Sequence, residues 1–166
     1  GGPGLGTIQP SQADYFQTVK GGGHGDYRLI ALAPASVQEM ADFVGLAFDL
    51  AFKYRNPAIL LADGVIGQMM EKVVLPEQRK RLTDEEVIAR CPWAANGKTA
   101  GRKPNIITSL ELDPAIMEQR NNHLQKKYAE IEANEVRYEE INCEDAEYLM
   151  VAFGSCARIA QKAMEL

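Results

Sequence analysis

Apolar residues in this chain fall into short continuous runs and helix-period stripes. Arg28–Ala33 is a short apolar run bounded by glycines and Pro34, which predicts a buried strand. Ser36-Val37-Gln38-Glu39 has the spacing of a capping box: the serine oxygen takes a backbone N–H and the glutamate reaches back. A helix is expected after it, with Met40, Phe43, Val44, Ala47 and Leu50 (or Ala51) on its inner face and Tyr54 near its end. Asn56-Pro57 should end that helix, because proline pushes its predecessor out of the helical region. Ala58–Ala62 reads as a second buried strand stopped by Asp63-Gly64. Strand, helix, strand predicts a right-handed βαβ unit with parallel strands.

The pattern then changes. Leu75–Ser109 holds Pro76, Pro92 and Pro104 and little period, so an irregular connector is expected, with a short helix at Asp84–Arg90. Asp113-Pro114 places a cap and a first-turn proline before a second long helix. It should run to about Glu139, with Leu124, Tyr128 and Ile131 on its apolar face and dense charge elsewhere. Tyr148–Phe153 is a third apolar run, expected as a strand, and Gly154-Ser155 turns into a final helix. Three or four strands are expected in all. A parallel sheet needs both faces covered, and these elements are too few to do that twice. The chain is therefore expected to carry parts of two domains. Gly1 in place of methionine, and Leu166 inside an amphipathic run, predict a piece of a longer protein.

Composition narrows the class. Hydrophobic residues are 46% of the chain and charged residues 25%, the balance of a globular protein. A net charge of -5 argues against a nucleic-acid surface. No apolar run approaches the roughly 20 residues that span a bilayer, and the opening stretch has no signal-peptide pattern. Cys91, Cys143 and Cys156 are odd in number and far apart. They predict reduced thiols and no zinc or iron–sulfur site.

Candidate chemistry clusters at the glycines. Gly2-Pro3-Gly4-Leu5-Gly6 can bring backbone close to a ligand, or be a plain loop. It is neither a dinucleotide fingerprint nor a P-loop. Gly21-Gly22-Gly23-His24-Gly25-Asp26 holds a side chain that can titrate near neutrality, with Asp14 and Asp26 nearby in sequence. A single histidine in a glycine loop is more often structural, and His24 is read that way first. Asp63-Gly64 follows a strand's carboxyl end, where α/β sheets bind ligands, yet it also suits a turn. Ser155 lacks a nucleophile elbow and reads as a helix cap; Cys156 reads as a buried thiol beside a helix start. His123 is expected to face solvent. Arg79-Lys80-Arg81, Lys98 and Arg102-Lys103 are read as a solvated loop rather than a phosphate site.

Residues 1–40 closely resemble a known family, the alpha subunit of the 2-oxoacid:ferredoxin oxidoreductases of the 2-oxoglutarate or 2-ketoisovalerate type. The similarity continues through Asn56–Gly64, Gly67-Gln68-Met69 and Pro76, and resumes more loosely at Leu149–Ala163. The resemblance implies an α/β fold: part of a thiamine-diphosphate-binding domain over 1–75, a connector over 76–112, and a long helix with the start of a transketolase C-terminal-like domain over 113–166. It implies oxidative decarboxylation of a 2-oxoacid to an acyl-coenzyme A, with electrons passing to ferredoxin. Thiamine diphosphate with magnesium would be held mainly by a partner beta subunit. Iron–sulfur clusters would lie in other, small subunits and none in this chain. Gly2, Pro3, Gly4, Leu5, Gly6 and Gln12 match the loop beside cofactor and substrate. His24 and Asp26 match a positioning or interface turn. A cytoplasmic setting and a hetero-oligomer follow from the family. The family's aminopyrimidine-activating glutamate has no counterpart here, so the chain alone is expected to be inactive, with no catalytic residue and no metal site of its own. The alternatives are a non-catalytic α/β subunit-interaction module and an unrelated nucleotide-binding domain.

Overall fold

A computed structural model describes residues 12–95, 97 and 102–165. The chain divides into two compact units, Gly1–Pro76 with Val136–Leu166, and Glu77–Glu135.

The first unit is built on the expected βαβ core. Strand β1 (Ile30–Leu32) and strand β2 (Ala58–Leu60) pair in parallel, Ile30 opposite Ala58 and Leu32 opposite Leu60. The short helix α1 (Tyr15–Val19) and a glycine turn precede β1, and α2 (Val37–Tyr54) connects the two strands. Helix α3 (Gly64–Gln68) follows β2, and the last helix of the chain, Gly154–Ala163, packs in the same unit beside α3. The described sheet has two strands only.

Local chemistry explains the boundaries of α2. Ser36 Oγ accepts the Glu39 N–H at 3.1 Å, as the capping box requires. The Glu39 carboxylate turns back one residue further than expected and accepts the Ala35 N–H at 2.6 Å. At the other end Arg55 adopts a left-handed conformation (φ 46°), the usual way to stop a helix. Leu50 and Tyr54 are buried, while Met40, Phe43, Ala47 and Ala51 are half-buried. Val44, expected on the inner face, is instead exposed, in line with Phe48 and Phe52. The inner stripe is narrower than the apolar residues suggest, because among the described residues only two short strands lie beneath it.

Asn56 fastens the two strand entries together. Its buried side-chain amide donates to the carbonyls of Arg28 and Pro57, both at 3.1 Å. The Ile30 N–H also bonds the Pro57 carbonyl. Asn56→Ala strips a partner from the Arg28 carbonyl and should cost about 1–3 kcal/mol. Urea unfolding of the chain at neutral pH checks this, and a loss within experimental error would show that solvent replaces the amide.

The run Tyr148–Phe153 does not form the expected third strand. Tyr148 is 91% exposed and Val151 88% exposed. Apolar character marks a residue for burial but does not supply the ladder partner that makes a strand, and the described residues supply none.

In the second unit, α4 (Asp84–Arg90) begins with a complete capping box. Thr83 Oγ1 accepts the Glu86 N–H at 3.3 Å, and Glu86 accepts the Thr83 N–H at 2.8 Å. Helix α5 (Pro114–Glu135) starts where expected, with Asp113 accepting the Ala115 N–H at 2.8 Å. It ends at Glu135, four residues short of the predicted Glu139. Tyr128 on α5 is buried, and Leu124 and Ile131 are half-buried. Arg102 departs from the solvated-loop expectation: it is half-buried and donates to the Ala94 and Gly97 carbonyls at 2.9 and 3.2 Å. Asn105 donates to the Pro92 and Ala94 carbonyls beside it, so side chains give this segment its shape.

Candidate functional site

The carboxyl end of β2 carries the densest long-range chemistry among the described residues. Asp63 is the cap of α3, and its Oδ1 accepts the N–H groups of Val65 and Ile66, both at 3.0 Å. Its second oxygen accepts the Ser155 N–H at 3.2 Å, ninety-two residues away in the chain. Ser155 lies in the first turn of α6 (Gly154–Ala163). One carboxylate therefore ends two helices, satisfying backbone donors that each helix leaves open at its start. Burial pushes the Asp63 pKa up, but hydrogen bonds from the Ser155 side chain and from the Ile66, Ser155 and Val65 backbones outweigh it. The net result lies below the ordinary carboxylate value. Two helix N-termini favour the same ionised form.

Ser155 was expected to cap α6 with its own hydroxyl. Phe153 occupies the cap position, with no side-chain cap bond, and Asp63 takes over that duty. The displacement comes from Gly154, which enters the helix at φ 59°. A Cβ there would sit at ordinary contact distances, 3.6 Å from Gln12 Nε2 and 3.7 Å from Asp63 Oδ2. Conformation rather than space calls for glycine at this position. Cys156, expected to be buried, is exposed.

Gln12 completes the arrangement. Its Nε2 donates to the Phe153 carbonyl at 3.0 Å, and the Phe153 ring stacks on Tyr15 with centroids 5.2 Å apart. Gln12, Tyr15, Asp63, Phe153 and Gly154, with Asp14 and the strand-end residues Leu61 and Ala62, line one shallow recess. Ion pairing reinforces α6 on its outer side. Arg158 pairs with Glu71, whose other oxygen accepts the Val37 N–H at 3.3 Å. That pairing first, and the Val37 bond second, lower the Glu71 pKa.

Of the sequence-predicted site residues, Gln12 lies in the recess. His24 and Asp26 are exposed and line no part of it. His123 is exposed on α5, as expected. Gly2, Pro3, Gly4, Leu5, Gly6 and Lys98 lie outside the described residues. No group of histidine, cysteine, aspartate or glutamate side chains among the described residues could hold a metal ion. No helix among them is long and apolar enough to cross a membrane.

A domain model described as pyruvate flavodoxin/ferredoxin oxidoreductase, thiamine diphosphate-binding, matches residues 1–142. The chain belongs to this thiamine diphosphate-binding family. Its curated relatives include the ketoisovalerate oxidoreductase subunit VorB of Methanothermobacter marburgensis, 52% identical over 164 residues, covering 99% of this chain and 45% of that protein. The VorB subunit of Methanothermobacter thermautotrophicus is 51% identical over 167 residues, with the same coverage. The 2-oxoglutarate synthase subunit KorA of Methanocaldococcus jannaschii is 36% identical over 186 residues, covering 99% of this chain and 49% of that protein. The chain thus spans less than half the length of each. No solved structure matches it. The resemblance to 2-oxoacid:ferredoxin oxidoreductase subunits is borne out, and so is the short parallel α/β fold.

Thiamine chemistry needs a carboxylic acid that can exchange a proton with the aminopyrimidine ring. Asp63 does not suit that role: three backbone N–H groups and the Ser155 side chain occupy it, and its proton is held less tightly than usual.

Proposed function

We propose that this chain is part of the alpha subunit of a 2-oxoacid:ferredoxin oxidoreductase acting on a branched-chain acid of the 2-ketoisovalerate kind. The observation that carries this reading is identity of 52% to a ketoisovalerate oxidoreductase subunit, against 36% to a 2-oxoglutarate synthase subunit, over nearly the whole chain in both cases. In the overall reaction the bond between C1 and C2 of the 2-oxoacid breaks and C1 leaves as carbon dioxide. The acyl group passes to the sulfur of coenzyme A, whose thiol proton is released, and the electron pair goes to ferredoxin. Thiamine diphosphate supplies the carbanion chemistry when bound.

In this reading Gly2, Pro3, Gly4, Leu5, Gly6 and Gln12 face cofactor and substrate. His24 and Asp26, exposed on their turn, serve positioning or a subunit interface. Residues 1–75 are the later part of the pyrimidine-binding domain, and 113–166 include the start of a transketolase C-terminal-like domain. A beta subunit holds most of the diphosphate and magnesium, small subunits carry iron–sulfur clusters, and the assembly works in the cytoplasm. The chain alone is inactive, because the ring-activating carboxylate has no counterpart in it.

The test uses the full-length subunit assembled with its beta and cluster-bearing partners. Coenzyme A-dependent viologen reduction is measured anaerobically across a panel of 2-oxoacids. Reduction with 2-ketoisovalerate exceeding that with 2-oxoglutarate is expected, and none from the isolated chain. No reduction by an assembled complex with thiamine diphosphate and intact clusters would overturn the assignment. Decarboxylation by the isolated chain would overturn its inactivity.

A further inference from the structure

We infer that Phe153 is a positioning residue for the substrate-side segment that begins at Gln12. The inference rests on the functional reading above, in which that segment adjoins the substrate loop.

Three contacts converge on the residues that open α6, and each spans a long stretch of chain. The Phe153 carbonyl accepts from Gln12, the Phe153 ring stacks on Tyr15, and Asp63 holds the Ser155 N–H. The first two use different parts of Phe153 on two residues three apart. Together they fix both the position and the rotation of residues 12–15. The third ties the helix that Phe153 precedes to Asp63, just past the end of β2. Gly154 sits between the two sets of bonds, where an added Cβ would lie 3.6 Å from Gln12 Nε2 and 3.7 Å from Asp63 Oδ2. Tyr15 is 39% exposed and Phe153 half-buried. The stacked pair therefore buries little surface for a core, and its effect is mainly orientation.

A positioning role predicts a change in how the 2-oxoacid is bound, with little change in how fast the bound acid reacts. The experiment uses the assembled full-length enzyme in wild-type form and as Phe153→Leu, Tyr15→Leu, the double variant and Phe153→Tyr. Viologen reduction is measured against 2-oxoacid concentration, with thiamine diphosphate content and thermal midpoint recorded for each. An aromatic pair is typically worth a roughly threefold to tenfold effect. KM for the acid should rise by about that factor in each leucine variant, with kcat within about twofold and cofactor content unchanged. The double variant should be no worse than either single one, because both remove one contact. Phe153→Tyr should restore the wild-type KM.

Wild-type KM in Tyr15→Leu would overturn the inference. This holds even if Phe153→Leu fails to assemble, since Tyr15→Leu leaves the α6 start untouched. Equal falls in kcat and thermal midpoint without a KM change would also overturn it, assigning the pair to stability alone. An assembled wild-type enzyme inactive on every 2-oxoacid would overturn the functional reading and this inference with it. An active wild type with unmoved variants would remove this inference only.

Discussion

Ile66→Ala is expected to lower the unfolding free energy of the chain by about 2–5 kcal/mol, the range for large-to-small changes in a filled core. Ile66 is 1% exposed, and it sits in a helix of only five residues. So short a helix does not hold itself together, because the first turn fixes several residues for one hydrogen bond. Helix α3 persists because Asp63 caps its start and Ile66 anchors its inner side. Alanine removes the anchor and leaves a void that the one-turn helix can only partly close. The loss is large against a typical total stability of roughly 5–15 kcal/mol. Urea unfolding should show a lower midpoint with an unchanged slope, the sign that stability and not compactness has altered. Ile159→Ala is the control. Ile159 is 68% exposed on α6, so the same deletion should fall within about 0.5 kcal/mol of wild type. Equal losses at the two positions would mean that burial at Ile66 contributes nothing special.

Elements whose cause is local were legible in the sequence. Helix α2 announces itself through Ser36, Glu39 and the Asn56-Pro57 stop, and α5 through Asp113-Pro114. Each signal acts within four residues of where it is read. The two paired strands were legible because apolar runs flank a long helix and are closed by proline and glycine. Helices α1 and α3 were missed because five residues carry no period. The role of Asp63 was legible only in part. Its capping of α3 is a local relation, but its bond to Ser155 joins positions ninety-two residues apart and leaves no trace in spacing. The start of α6 was misjudged by the same mechanism. A serine next to a helix suggests a cap, but Gly154 advanced the helix start and a distant carboxylate supplied the acceptor. The Tyr148–Phe153 run failed differently, because its composition says nothing about a pairing partner. In the candidate site, Gln12 was reached through family resemblance, whereas Phe153 and Gly154 were not. Their part depends on contacts that only the fold brings together.

Asp63→Ala should cost about 2–4 kcal/mol at neutral pH, combining a lost helix cap with hydrogen bonds to a charged acceptor. The substitution leaves the Val65, Ile66 and Ser155 N–H groups without their acceptor at a site where Asp63 is 9% exposed. Asp63→Asn should cost less. Its amide oxygen can still cap α3, while the nitrogen cannot accept from Ser155, so the link to α6 is what it breaks. The pH dependence separates charge from shape. The folded pKa of Asp63 is lowered, so the unfolded chain binds its proton more readily than the folded one. The resulting stability is fully present above the unfolded value, near 3.9 for aspartate, and is lost as pH falls through the folded value. Asparagine has no such titration. The gap between wild type and Asp63→Asn should therefore be constant from pH 7 to about 5 and shrink below about 4. Differences between the two proteins at each pH cancel the titration of the other carboxylates, which they share. A gap that stays constant down to pH 3 would mean that the ionised form of Asp63 has no advantage in the folded chain. The two helix starts would then be held by geometry alone, and the convergence of α3 and α6 on one carboxylate would owe nothing to its charge.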